Sequence, residues 1–238
     1  LEDEVDLKVG TRKRPPKPFL AVLVPHGSFW TCGSVLGEVY RRLSPVRRTV
    51  VLGGNHTGLG KPYAVAPPGE WEIPLGKIPV DEKLACVILE RLPETQEDEE
   101  AHRHEHSVEV QLPFLKRALG IRSFVPMVLQ SGPVELARRM GEELAQVMAA
   151  QPDEILLVVS TNLSQYQSEA WVPQHDRRLT EAILSLDEEK LLRIVEEEGI
   201  SMCGGFAAAV GMAAAKTLGG SRVVSIRQTT SRAAGSRL

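Results

Sequence analysis

Cysteine is scarce in this chain: Cys32, Cys86 and Cys203 are the only three in 238 residues. An odd number at unrelated spacings is not a disulfide framework, and no CxxC pair offers a local metal knuckle. That usage suits a reducing cytoplasm, where the protein is expected to reside. No apolar run approaches the roughly 20 residues that cross a bilayer, so no membrane role is expected. Excess positive charge is also missing. The 28 Lys and Arg face 31 Asp and Glu, a formal net charge of −3, whereas a general nucleic-acid binder would show a basic face. There is no GxGxxG, no Walker loop and no GxSxG elbow, which removes the usual nucleotide and serine-hydrolase signatures. Ser28 and Ser107 each lie beside a histidine, but sequence neighbours rarely face one another. No internal repeat and no low-complexity tract appears.

What remains is an ordinary globular composition, 42% hydrophobic and 25% charged, with length enough for a sizeable core. Leu1–Pro18 is charged and proline-rich, without a sustained period. It reads as an N-terminal arm (residues 1–18), not a signal peptide, ahead of a single α/β domain (residues 19–238). The first residue is Leu, and trimming is the expected reason. Phe19–Val24 is a continuous apolar run of strand length, Ser34–Leu43 carries apolar residues at helical spacing, and Arg47–Leu52 is a second strand. Together they make a βαβ unit of about 35 residues, whose crossover is expected to be right-handed.

Further on, Lys61–Pro79 reads as an irregular loop or edge hairpin. Asp81–Leu92 reads as a helix capped by Asp81, and Pro93–Arg103 as a solvated acidic stretch. The half-segment starting near Ser107, its expected cap, reads as a helix with Pro113 in an early turn. Strands are expected over Arg122–Leu129, Glu154–Thr161 and Arg222–Ile226. Helices are expected over Gly132–Ala150, Asp176–Leu186, Glu188–Glu197 and Phe206–Leu218. The alanines and Gly211 of the last let it pack close to its neighbours. The alternation predicts a three-layer α/β sandwich with a mostly parallel central sheet.

The organising stretch is Val51–Gly60, VLGGNHTGLG. A buried strand running into a glycine-rich turn delivers His56 to the carboxyl edge of the sheet, where open α/β sheets bind ligands. Phe19–Pro25 does the same for His26. Either histidine taken singly reads as a satisfied loop residue; the repeated pattern argues for a site. Asn55, Asn162 and Gln165 follow strands and are candidate ligand-binding residues. Cys203 precedes a helix N-terminus, whose partial positive charge favours thiolate. Read from residues alone, Cys203 is first a small buried hydrophobe. Joined to His26 and His56 it would complete a three-ligand metal site with an open position. Such a set suits iron, copper or zinc and not magnesium. Cys32 reads as packing and Cys86 as core. His102 and His104 read as solvated loop histidines, while His106 and Glu109, at a helix mouth, either cap it or line a pocket.

Five segments, in order, resemble the Memo family, the B component of the AmmeMemoRadiSam group. VPHGSFWTCGSV resembles its PHAGYxYxGS, LGGNHTGLG its LGPNHxG, and EHSVEVQLPFLKRAL its EHSxExQLPFL. VVSTNLSQYQ resembles its SSDLSHY, and MCGGFAAAVGMAAAKTLG its CGxxPxxxxLxAAxxLG. The resemblance spans roughly Phe19 to Ile226. It implies a fold shared with class III extradiol dioxygenases, with metal ligands falling on His26, His56 and Cys203. Two departures stand out. Asn162 and Gln165 replace an Asp and a His, and glutamine cannot transfer a proton at neutral pH.

Three functions follow. The first is a metal-dependent redox enzyme acting on a small molecule, with His106 and Glu109 in its pocket. The second is a non-catalytic metal- or peptide-binding protein, since the family's animal members are linked to signalling through peptide contact. The third is a zinc hydrolase that would need Glu109 as base.

Overall fold

The computed structural model describes residues 2–9, 19–165, 171–225 and 227–230. Eight strands and nine helices alternate among them: α1 (Glu2–Val9), β1 (Ala21–Val24), α2 (Phe29–Tyr40), β2 (Arg48–Gly54), β3 (Tyr63–Val65), β4 (Glu70–Ile73), β5 (Gly76–Pro79), α3 (Glu82–Arg91), β6 (Gln96–Glu97), α4 (Glu100–Arg103), α5 (Leu112–Phe114), β7 (Ser123–Leu129), α6 (Val134–Ala149), β8 (Ile155–Ser160), α7 (Val172–Leu184), α8 (Glu188–Glu197) and α9 (Gly205–Thr217).

Six strands form one sheet in the order β1-β8-β2-β7-β3-β6, with β1, β8, β2 and β7 mutually parallel. β3 runs antiparallel to β7, while β4 and β5 make a separate hairpin. The alternation of side chains along the central strands fills two cores. Val50 and Leu52, Leu157 and Val159, Val125 and Met127 face α3, α6, α7, α8 and α9. Val51, Leu156, Val158 and Phe124 face the opposite layer of α1, α2 and α5. The three-layer α/β sandwich is therefore the architecture, and its parallel strands all end at one rim.

Asp81 caps α3 by accepting from Leu84 N at 3.2 Å, and its other oxygen takes Arg48 Nε at 2.6 Å. Burial pushes this carboxyl up, but Arg48, the Leu84 amide and Ser123 outweigh it and leave its pKa lowered.

Several segments differ from the sequence reading. Residues 2–9 are helical, and Val5 is fully buried in the layer of α2; the rest of the expected arm lies outside the described residues. The proposed final strand is absent over residues 222–225, and Ile226 is not described. Ser107 does not cap a helix. The segment instead winds through a 3-10 turn at Glu109–Gln111, α5 and a π turn at Leu115–Leu119. Cys86 is exposed on α3 rather than core.

α9 is buried along Gly205 to Ala214, and along that length it shows no polar face to water. It lies against α6 where a Cβ on Gly141 would come 2.5 Å from the Val210 carbonyl and 2.8 Å from Ala214 N. An alanine in an open helix gains about 1 kcal/mol over glycine. Backbone atoms at that distance cannot yield, so the clash wins. Gly141→Ala is expected to destabilise the protein by about 1–3 kcal/mol in denaturant titration; equal or greater stability would contradict this packing.

Candidate metal centre

β1 runs out through Pro25 to His26, and β2 through Asn55 to His56. β8 ends at Ser160 and turns through Thr161 and Asn162 at the same rim. The turn before α9 comes up to meet them. Its contact is backbone on backbone, because a Cβ on Gly54 would lie 3.0 Å from Gly204 N. Thr161 Oγ1 donates to the Cys203 carbonyl, and Gln165 N donates to Ser201 O at 3.0 Å. These contacts stitch the entry of α9 to the end of β8 and place Cys203 beside the histidines.

His26 is nearly fully buried. Its Nε2 lies 3.1 Å from Cys203 Sγ. The ring centroids of His26 and His56 are 4.9 Å apart, those of His26 and His106 5.3 Å, and those of His56 and His106 4.8 Å. One ligand atom from each of these three rings lies within 4.8 Å of the others, so the cluster can hold a metal ion. The side chain of His106 is 52% exposed, which makes it the open side of the cluster.

The carboxylate that serves this cluster is Glu105. It is 4% exposed. It accepts from His56 Nδ1 at 2.9 Å, His56 N at 2.6 Å and Ser107 N at 2.7 Å. Burial alone would raise it, but these donors bring it down to about 2. A carboxylate on Nδ1 leaves Nε2 of His56 for an electrophile, the arrangement found behind metal-binding histidines. Hydrogen bonds to Cys203, then to Glu105, raise His56 to about 10. Burial pushes the Cys203 thiol up; hydrogen bonds with His26 and His56 overcome it and bring it to about 6. The pocket therefore favours one positive charge between a carboxylate and a sulfur. His106 is lowered, chiefly by burial and then by its two neighbouring rings, against the pull of Glu105.

The other residues singled out in the sequence fall as follows. Glu109 is exposed, close enough to His106 to act on it electrostatically. Asn55 is spent on its own loop, accepting from Gly58 N at 2.9 Å and donating to Leu59 O at 2.8 Å. Asn162 clamps His26, accepting from its N–H at 3.1 Å and donating to its carbonyl at 2.9 Å. Its own N–H points at Cys203 Sγ, 3.4 Å away. The Gln165 side chain is half-buried, and Tyr166 lies outside the described residues. Glu105, which the sequence reading does not single out, is the carboxylate behind His56. The signal for it was the first letter of EHSVE, on the turn that faces the His56 loop.

His104 is exposed as expected, but His102 is not solvated. It is 7% exposed and packs edge-on to Trp71, with ring centroids 5.9 Å apart. Burial lowers it to about 4, against weaker opposing pulls from the Ala64 carbonyl, Asp98 and Glu105. Below pH 6.5 the unfolded chain takes up a proton that folded His102 refuses, so stability falls as pH drops from about 6.5 to about 4. The loss is up to about 3 kcal/mol at 1.36 kcal/mol per pKa unit. His102→Phe is expected to flatten that part of the stability–pH curve in urea titrations; an unchanged slope would assign it elsewhere.

Comparison with known proteins shows the family of the chain. Residues 4–237 match the family described as Memo-like protein. A MEMO1 family protein of Aquifex aeolicus is 35% identical over 229 residues, covering 95% of this chain and 84% of that one. One of Thermotoga petrophila is 39% identical over 197 residues, covering 82% and 70%. A crystal structure of an uncharacterized Escherichia coli K12 protein superposes with a TM-score of 0.56 at 16% identity, covering 82% of this chain and 88% of that one. At that identity the likeness speaks for the fold alone.

Proposed function

The chain belongs to the Memo-like protein family, and on that premise we propose that it is a metal-dependent redox protein whose ion, iron or copper, is held by His26, His56 and Cys203. The observation that carries this reading is the 3.1 Å approach of Cys203 Sγ to His26 Nε2, beside a His56 ring backed by a buried carboxylate. A sulfur with two imidazoles suits a soft or borderline ion; zinc also fits this set, and oxygen-seeking ions do not. When bound, such an ion supplies Lewis acidity and, for iron or copper, one-electron chemistry.

The chain's own residues do the rest. Glu105 orients His56, and Asn162 pins the backbone of His26. His106, with its lowered pKa, is a neutral imidazole at pH 7 on the open side, able to accept a proton from a small-molecule substrate. Glu109 stands in the solvent beyond it. The free state of Cys32, Cys86 and Cys203 supports a cytoplasmic setting. No described helix is long and apolar enough to cross a membrane.

A second reading, a metal- or peptide-holding interaction protein without turnover, draws on Asn162 and Gln165. Both amide ends of Asn162 are committed to His26, and Gln165 offers no titratable group.

Metal analysis of protein purified without chelator is expected to give about one ion per chain by site stoichiometry, lost in Cys203→Ala. Metal retained in Cys203→Ala but lost in His106→Ala would replace this ligand set with the three histidines. Restoring an acid/base group with Gln165→His is expected to raise oxygen uptake of the iron-loaded protein by on the order of tenfold or more. The addition of Asn162→Asp is expected to undo part of the gain, since a carboxylate cannot donate to the His26 carbonyl. An unchanged rate in Gln165→His favours the interaction protein.

A further inference from the structure

Behind His26 lies a buried polar chain that the metal reading does not use. His26 Nδ1 is 3.2 Å from Ser160 Oγ. Ser160 Oγ is also 2.6 Å from the Ser107 carbonyl and 2.9 Å from Gln111 Nε2. Gln111 Nε2 lies 2.8 Å from the Pro25 carbonyl, and Gln111 Oε1 accepts from Tyr40 OH at 3.0 Å. Ser160, Ser107, Gln111 and Tyr40 are all fully buried.

The protons in this chain can be counted. The Pro25 carbonyl only accepts, so the group facing it must be the Gln111 amide NH2. The same NH2 then donates its second proton to Ser160 Oγ, and the Tyr40 phenol satisfies Oε1. The Ser107 carbonyl also only accepts. Two oxygens 2.6 Å apart must share a proton, and the only one available is the Ser160 hydroxyl's. A hydroxyl has one proton and two lone pairs. Its proton goes to Ser107 and one lone pair to Gln111. What is left for His26 is a lone pair, so the Ser160–His26 bond has to be donated by the imidazole.

We propose that Ser160, with its hydroxyl direction set by Gln111 and the Ser107 carbonyl, is a positioning residue that fixes the proton of His26 on Nδ1 and reserves Nε2 for the ion. This rests on the metal reading for its purpose, but not for its geometry. His56 has its Nδ1 proton fixed by another route, since the Glu105 carboxylate can only accept from it. One rim histidine is thus set by a charged acceptor and the other by a neutral hydroxyl. Only one negative charge is then brought in behind the two rings.

The test is long-range proton–nitrogen NMR of the metal-free, histidine-labelled full chain at pH 9. His26, identified by loss of its signals in His26→Gln, is expected to carry a proton on Nδ1, whether or not Nε2 also donates to the Cys203 sulfur 3.1 Å away. Ser160→Ala is expected to move it to Nε2, toward Cys203, and Ser160→Thr, which keeps the hydroxyl, to return it. Zinc affinity is expected to fall about 10- to 100-fold in Ser160→Ala, the usual effect of losing a ligand's outer partner. A wild-type His26 protonated on Nε2 alone overturns the proposal, and so does a Ser160→Ala protein with Nδ1 still protonated. Should Ser160→Ala fail to fold, the wild-type spectrum alone decides. If the wild-type protein takes up no zinc while Nδ1 carries the proton, the metal reading fails and the tautomer assignment stands.

Discussion

The site depends on one place where two backbones touch. Gly54, at the end of β2, and Gly204, before α9, approach so closely that a methyl group on Gly54 would sit 3.0 Å from the Gly204 nitrogen. Without that approach the sulfur of Cys203 could not share space with His26 and His56. The rest is arranged to make it hold. Thr161 ties the Cys203 carbonyl to the end of β8, and Asn162 ties both backbone polar groups of His26. The parallel sheet supplies the common rim. The turns at that rim supply chemistry, and few side-chain atoms there are left without a task.

Electrostatically the rim is asymmetric. Glu105 is buried and ionised, held by one imidazole and two backbone amides; it hydrogen-bonds His56 and lies 3.8 Å from His106 Nδ1. His26 is backed by neutral groups only. His106, the exposed ring, has the electrostatic disadvantage of two imidazole neighbours. The three rings of one cluster therefore differ in character: one supported by charge, one by a hydroxyl, one facing water. That division suits a site with two fixed holding groups and one adaptable group on the side where a ligand arrives.

Much of this was legible in the sequence, and the misses have physical reasons. The strands ending at His26 and His56 announce themselves because a buried parallel strand is continuously apolar and its glycine-rich exit is abrupt. The small-residue pattern of α9 was readable for the same reason: a helix so rich in alanine and glycine packs close to its neighbours. Cys203 could not be placed from local spacing, since its partners lie far away along the chain; the ordered family motifs supplied it. Glu105 and His102 were harder. Both sit in a run of acidic and basic residues that resembles a solvated face, and only the tertiary contact of that run with the β2–β3 connection and with Trp71 buries them. Glu109 looked equivalent to Glu105 because a turn that changes from 3-10 to α to π has no single period by which to sort its inner side from its outer. Residues 2–9 lacked any amphipathic signal, yet Val5 is fully buried in the core.

The buried course of α9 has a consequence for how the molecule comes into being. This helix lies against α6, α8 and four central strands, and it is buried along Gly205 to Ala214. A ribosome therefore releases most of the sheet before the segment that must cover it. Until residues 205–217 emerge, the face of β1, β2, β7 and β8 that this helix meets lacks that part of its cover. Cys203 arrives with that same segment. The sulfur reaches the two rings only as the last cover closes, so an unfinished chain presents its histidines without it.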